Sequence, residues 1–314
     1  MRVLVVTATA LVVATAGMSV ANADTVENHR NGPIVGNFTL DKLPDTATLG
    51  HDPLGCTIKV DRVYNYGLKS TKYYRYDIPG LTNPKLCPDM GVAVPTGKPW
   101  MIDDLVVTWF INYQSGSKPA AYVLRNFTIV SSFAAEDYPS YIGTGVDFNG
   151  DGLADIWERT DEGEGFRTYL RSGDTFVPGP AALHDSFLHE VFFGQLDGQP
   201  GTDIVSAFQS SYYNNLLSNP DGAPIFGPGP TGVMAISGAT GKLTLLEPYS
   251  YTDNGAGLGH QFDIYHPVPT LVDINGDGIL DVRVTGSGPY DGTSAPSVTH
   301  DFLNDGTGNF TLVP

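Results

Sequence analysis

The chain is short of cysteine, of basic residues and of long apolar runs. It holds two Cys and three Trp, and 17 Lys and Arg stand against 34 Asp and Glu, a formal net charge of −17. Such a charge opposes contact with phosphate groups, so nucleic acid and anionic lipid are not expected partners. Beyond residue 23 no apolar run is long enough to cross a bilayer. No long segment repeats apolar residues at i, i+3, i+4 and i+7, which excludes a helical fold. The G-x-S-x-G, S-x-x-K, H-E-x-x-H and phosphate-cradling patterns are all missing, and no catalytic residue is predicted.

What is present begins with an export signal. Met1 and Arg2 give a positive start, an apolar run follows to about Val20, and Ala21-Asn22-Ala23 offers small residues for cleavage. The expected organisation is a signal peptide over 1–23 and a single secreted domain over 24–314. In an oxidising compartment the only two cysteines, Cys56 and Cys87, are expected to form a disulfide.

The body of the chain is rich in turn formers and ring residues: 37 Gly, 23 Pro, 16 Tyr and 15 Phe. Short β-branched and aromatic runs alternate with Gly, Asn, Asp and Pro. That pattern specifies an all-β fold of short strands and tight turns.

Two segments repeat nearly letter for letter. Asp147-Phe148-Asn149-Gly150-Asp151-Gly152-Leu153-Ala154-Asp155 and Asp273-Ile274-Asn275-Gly276-Asp277-Gly278-Ile279-Leu280-Asp281 both read D-x-N-G-D-G-x-x-D before a strand. Weaker copies end in Asp203 and Asp104. A second element, a turn before a short aromatic strand, recurs around Gly173, Gly238 and Asp305–Asn309. Asn-Phe-Thr recurs at Asn37, Asn126 and Asn309 and reads as one structural position repeated. A period near 50 residues with several strands per unit predicts a β-propeller of about five four-stranded antiparallel blades, six or seven remaining possible. Residues 36–40 read as the last strand of a blade completed by residues about 269–314, a pairing that would close the ring.

These loops and the later L-N-D-G-T-G-N-F-T turn resemble the FG-GAP/VCBS repeat family, which includes integrin α-subunit heads and many bacterial secreted propellers. The resemblance is close at 146–156, 272–282 and 302–311, moderate at 194–208 and nearly absent from 41–90. It implies a propeller with calcium in blade loops. It implies no single activity.

The loop chemistry points the same way independently. Calcium takes six to eight oxygen ligands in flexible geometry. Asp147, Asn149, Asp151 and Asp155 supply side-chain oxygens at loop positions 1, 3, 5 and 9, and the Leu153 carbonyl supplies position 7. Asp273, Asn275, Asp277, the Ile279 carbonyl and Asp281 repeat the set. Residues 147–158 also satisfy an EF-hand pattern, with Glu158 at position 12. The second loop has Val284 there, and the flanks read as extended.

His260, Asp263 and His266 form the densest polar group outside the loops and read as loop hydrogen-bonders. Tyr212, Tyr213, Tyr249, Tyr251 and Tyr265 are candidate stacking platforms for a ligand. The expected function is a secreted, calcium-stabilised, non-catalytic recognition module for a glycan or protein. The alternative is an exported polysaccharide-active hydrolase or lyase on the same scaffold.

Overall fold

The computed structural model describes residues 26–313 except 40, 42, 65–66, 99, 110–119, 136–138, 160–164, 184–185, 211–230, 249–264 and 288–296. The predicted signal peptide, Tyr212, Tyr213, Tyr249, Tyr251, His260 and Asp263 therefore lie outside the described residues.

The fold is all-β, and the described strands form five antiparallel sheets. After β1 (Val26–His29), the first sheet holds β2 (Ile34–Gly36), β3 (Asp45–Asp52), β4 (Gly55–Val63) and β5 (Lys69–Tyr76). The second holds β6 (Met90–Val94), β7 (Asp104–Thr108), β8 (Ala120–Arg125) and β9 (Thr128–Ala134). The third holds β10 (Tyr141–Val146), β11 (Asp155–Arg159), β12 (Phe166–Ser172) and β13 (Thr175–Leu183). The fourth holds β14 (Ser186–Gly194), β15 (Asp203–Ser210), β16 (Thr231–Ile236) and β17 (Leu243–Pro248). The fifth holds β18 (Tyr265–Val272), β19 (Asp281–Ser287), β20 (Ser297–Asn304) and β21 (Phe310–Val313). Tyr265 and His266 thus lie in a strand, and their side chains are not among those described.

Each sheet contains an up-and-down meander of four consecutive strands, and the third has β1 as a fifth strand on its edge. Four apolar clusters join the five sheets in chain order. Ile58, Val60, Leu105 and Val107 belong to the cluster between the first two sheets. Val92, Val106, Ile156 and Tyr169 share the next. Trp157, Phe166, Ile204 and Met234 share the third, and Val205, Val233, Val282 and Phe302 the fourth. A sheet between two neighbours has both faces covered. This is why β6 (Met-Gly-Val-Ala-Val) and β7 (Asp-Leu-Val-Val-Thr) are buried at every position. Their continuous runs replace the usual alternation.

The two end sheets differ. Ile58 and Val60 of β4 face inward while Lys59 and Asp61 turn out and pair with each other. On β19, Val282 and Val284 face inward while Arg283 turns out to pair with Asp301 of β20. Among the described residues no apolar cluster joins the last sheet to the first.

Two sequence-based expectations are corrected. Residues 36–40 do not complete the C-terminal sheet: β2 pairs with β3, and residues 265–313 supply all four strands of their own sheet. The chain's N-terminal strand instead joins the third sheet, where β1 runs antiparallel to β10. There the Asn28 side-chain amide, buried, donates to the Gly91 carbonyl at 2.9 Å, and Arg159 pairs with Glu27. The Asn-Phe-Thr copies are not one position, because Asn37 follows β2 while Asn126 and Asn309 sit in hairpins between third and fourth strands. The flanks of the acidic loops are extended, as the sequence reads: the loops join antiparallel strands, β10 to β11 and β18 to β19, so an EF-hand with flanking helices is excluded.

Cys56 and Cys87 are bonded as expected. The bridge ties β4 to the crossover between the first two sheets and closes a loop of 31 residues. Closing a loop of that size contributes about 3.7 kcal/mol to stability.

Candidate metal centre

The repeated site is built around one aspartate per sheet. Asp45, Asp104, Asp155, Asp203 and Asp281 each open the second strand of their sheet, and each is almost fully buried. In four sheets this carboxylate bridges the strand 1–2 loop and the third strand or, for Asp203, the turn just after it. Asp155 accepts from the amides of Phe148 at 2.8 Å and Arg171 at 2.7 Å. Asp281 accepts from Ile274 and Asn304, both at 2.8 Å. Asp203 accepts from Leu196 at 2.7 Å and Gly238 at 3.0 Å, and Asp45 accepts from Phe38 at 3.1 Å and Val63 at 3.0 Å. A buried amide without a partner is expensive, so this side chain fastens each loop to its sheet.

Above that node the two predicted loops agree bond for bond. Asp147 Oδ1 accepts from Gly150 at 2.7 Å and from Asp151 at 3.2 Å, and its Oδ2 accepts from Gly152 at 2.7 Å. Asp273 accepts from Gly276, Asp277 and Gly278 at 2.7, 3.1 and 3.0 Å. Asp151 accepts from Leu153 and Asp277 from Ile279, both at 2.8 Å. Gly150 and Gly152, like Gly276 and Gly278, have positive φ, which lets the chain curl around its own carboxylates.

The loops also touch their neighbours. The Thr202 amide donates to the Asp147 carbonyl at 2.8 Å. A side chain at Gly201 would meet the Phe148 carbonyl at 2.2 Å, so only glycine lets the two loops approach. The Leu196 carbonyl accepts from Asn304 at 2.8 Å and from Gly308 at 3.1 Å, joining the fourth sheet's loop to the last hairpin.

Electrostatically the nodes are costly. Burial pushes the Asp155 carboxyl up to about 6, and the neighbouring Asp147 and Asp151 push the same way. Burial also raises Asp203 to about 6, with Asp197 adding to it. Asp305, on the exposed last hairpin, goes the other way, to about 2, because Thr307 and Asn309 donate to it. Among the described residues no three His, Cys, Asp or Glu side chains are gathered into a metal-holding group. Asp155 and Asp281 lie beneath their loops with both oxygens accepting amides. Each carboxylate oxygen carries a second lone pair, so those bonds orient the group without exhausting it.

No protein-family model matches this chain, and no curated protein matches it in sequence. The site therefore rests on its own geometry.

Two parts of the node escape sequence reading. The first is the Asp45 loop. Asn37-Phe38-Thr39-Leu40-Asp41-Lys42-Leu43-Pro44-Asp45 has no glycine, yet Phe38 and Asp45 keep the seven-residue spacing of Phe148 and Asp155. That spacing was the available signal. Here Thr39 donates to Asp41 at 2.8 Å and to Asp45 at 3.0 Å, while Asn37 Oδ1 and Asp41 Oδ2 are buried with no hydrogen-bond partner among the described residues. The second is Asp104, which accepts the Arg125 guanidinium through Nε and Nη2, both at 2.9 Å, and also that of Arg171. In the second sheet arginines stand where amides stand in the others.

Proposed function

We propose that the chain is an exported β-propeller of five blades, of the FG-GAP/VCBS repeat type, that holds calcium in two blade loops and recognises a glycan or protein without catalysis. The observation that carries the reading is the bond-for-bond agreement of the loops at 147–155 and 273–281. Two stretches 126 residues apart keep the same carboxylates, the same left-handed glycines and the same buried aspartate. Five meanders joined in chain order support the propeller, and closure of the ring would then rest on polar side chains of the first and last sheets. The donor set is all oxygen, the chemistry of a hard cation. Asp147, Asn149, Asp151, the Leu153 carbonyl and Asp155 would hold one ion; Asp273, Asn275, Asp277, the Ile279 carbonyl and Asp281 would hold the other. The bound ion supplies positive charge that offsets clustered carboxylates. The loops, so fixed, keep their places at the edge of each blade.

The reading is tested on a glycan and protein array probed with and without EDTA, with a parallel assay for released reducing ends. The expected result is calcium-dependent retention of one ligand class and no release. Reducing ends appearing above a boiled control would establish the hydrolase reading in its place.

A further inference from the structure

Three of the five strand 1–2 loops lack the D-x-N-G-D-G pattern, and two of these supply their own donors. In the fourth sheet the Gln195 side-chain amide donates to the carbonyls of Gln199 and, at 2.9 Å, Gly201. In the second sheet the guanidinium groups of Arg125 and Arg171 engage Asp104. The β2–β3 loop, residues 37–45, has no such donor among the described residues. It still carries an oxygen-bearing side chain at each of positions 1, 3, 5 and 9: Asn37, Thr39, Asp41 and Asp45.

In this loop the acceptors outnumber the hydrogens. The Thr39 hydroxyl oxygen lies 2.8 Å from Asp41 Oδ1 and 3.0 Å from Asp45 Oδ2, and its single hydrogen serves one of them at a time. Positions 3, 5 and 9 therefore meet at one hydroxyl. The Phe38 amide, next to Asn37, reaches the same Asp45 oxygen at 3.1 Å. Asp41 Oδ1 also accepts from the Leu43 amide at 3.0 Å. Asp41 Oδ2 and Asn37 Oδ1, by contrast, are buried and accept nothing among the described residues. They stand at positions 5 and 1, the places of Asp151 and Asp147. Buried oxygens nearly always have a partner, and a buried carboxylate oxygen calls for positive charge. Asn37 is fixed from the second sheet: its amide donates to Asp103 Oδ2 at 2.7 Å, and its carbonyl accepts from the Asp103 amide at 2.9 Å. A cage that grips a small bare ion is too narrow for water, so oxygens that show water no surface suit it. Asn37, Thr39, Asp41 and Leu43 are each partly exposed as residues, which leaves the loop open to an ion from solvent.

Formal charge selects the ion. Residues 147–155 and 273–281 each carry three Asp and no base, a charge of −3. Residues 37–45 carry Asp41 and Asp45 against Lys42, a charge of −1, and an amide replaces the carboxylate at position 1. We propose that the β2–β3 loop binds a monovalent hard cation, sodium, held by Asn37 Oδ1 and Asp41 Oδ2 with the Thr39 hydroxyl and Asp45 beside them. The site shares no residue with the acidic loops and does not rest on bound calcium.

The test is thermal melting and sodium NMR of the full-length protein, as wild type and as the Asp151→Ala, Asp277→Ala double variant, with EDTA present to keep the acidic loops empty. Sodium chloride is compared with choline chloride at equal concentration, choline being too bulky for the cage. Sodium at ten times its dissociation constant is expected to raise the melting temperature of both proteins by about 3–6 °C. The sodium line should broaden saturably. Asp41→Asn keeps the acceptor for Leu43, so it should fold and lose both responses, while Asp77→Asn, on an exposed residue outside the loop, should keep them. Equal melting in sodium and choline, a sodium response that survives Asp41→Asn, or calcium displacing sodium from the EDTA-free double variant would each overturn the proposal. A wild type that responds to calcium and ignores sodium would remove this site alone and leave the calcium reading standing.

Discussion

Stripping divalent cations with EDTA is expected to lower the melting temperature by at least about 10 °C. An ion that binds only the folded chain stabilises it by about 2.7 kcal/mol at a hundred times its dissociation constant, so two sites contribute about 5 kcal/mol. In a domain of this size each kcal/mol moves the midpoint by about 2–4 °C. Without the ion, Asp147 and Asp151 face each other across a curled backbone, and Asp155 lies beneath them at a burial that already raises its pKa to about 6. The Asp151→Ala, Asp277→Ala double variant should melt near the EDTA-treated wild type and show little further change with EDTA. Both side chains are exposed, so their removal does little to the metal-free fold. A double variant that keeps the full EDTA response would place the cation elsewhere.

Asp104→Ala is the second large effect, and it is expected whether or not calcium is present. Asp104 is fully buried, Arg171 is 4% exposed, and Arg125 bridges onward to Asp174 at 2.7 Å. Removing the carboxylate strands a buried guanidinium, a change that costs about 3–5 kcal/mol, or roughly 10 °C here. The Arg171 side chain also donates to the Pro95 carbonyl while its amide serves Asp155, so the damage should spread across the junction of the second and third sheets. Replacing Asp104, Arg125 and Arg171 together by apolar residues of similar size should recover much of the loss, because no charge is then left unpaired. Chemical denaturation reads both outcomes. A loss below about 0.5 kcal/mol for Asp104→Ala would put the pair among weak surface bridges.

The split between legible and hidden features follows from how local each is. Strand-forming runs, turn residues and the D-x-N-G-D-G loops are written within ten residues. So the all-β class, five four-stranded units, the placement of Asp104, Asp155, Asp203 and Asp281 at strand starts, and the cysteine pair could all be read. The Asp45 node was missed because its loop closes without the glycines that mark the others, leaving only the Phe38–Asp45 spacing. The pairing of β1 with β10 was hidden for a different reason. A four-residue strand carries almost no information about a partner more than a hundred residues away, and that choice is made by an open sheet edge. Arg171 was unreadable because its role depends on two sheets meeting, where one residue serves Asp155 through its amide and Asp104 through its guanidinium.

The most direct test is calorimetric titration of the metal-free protein with calcium. Wild type should bind two equivalents, Asp151→Ala and Asp277→Ala one each, and the double variant none. Two equivalents in the double variant, or none in the wild type, would contradict the assignment of these loops as cation sites.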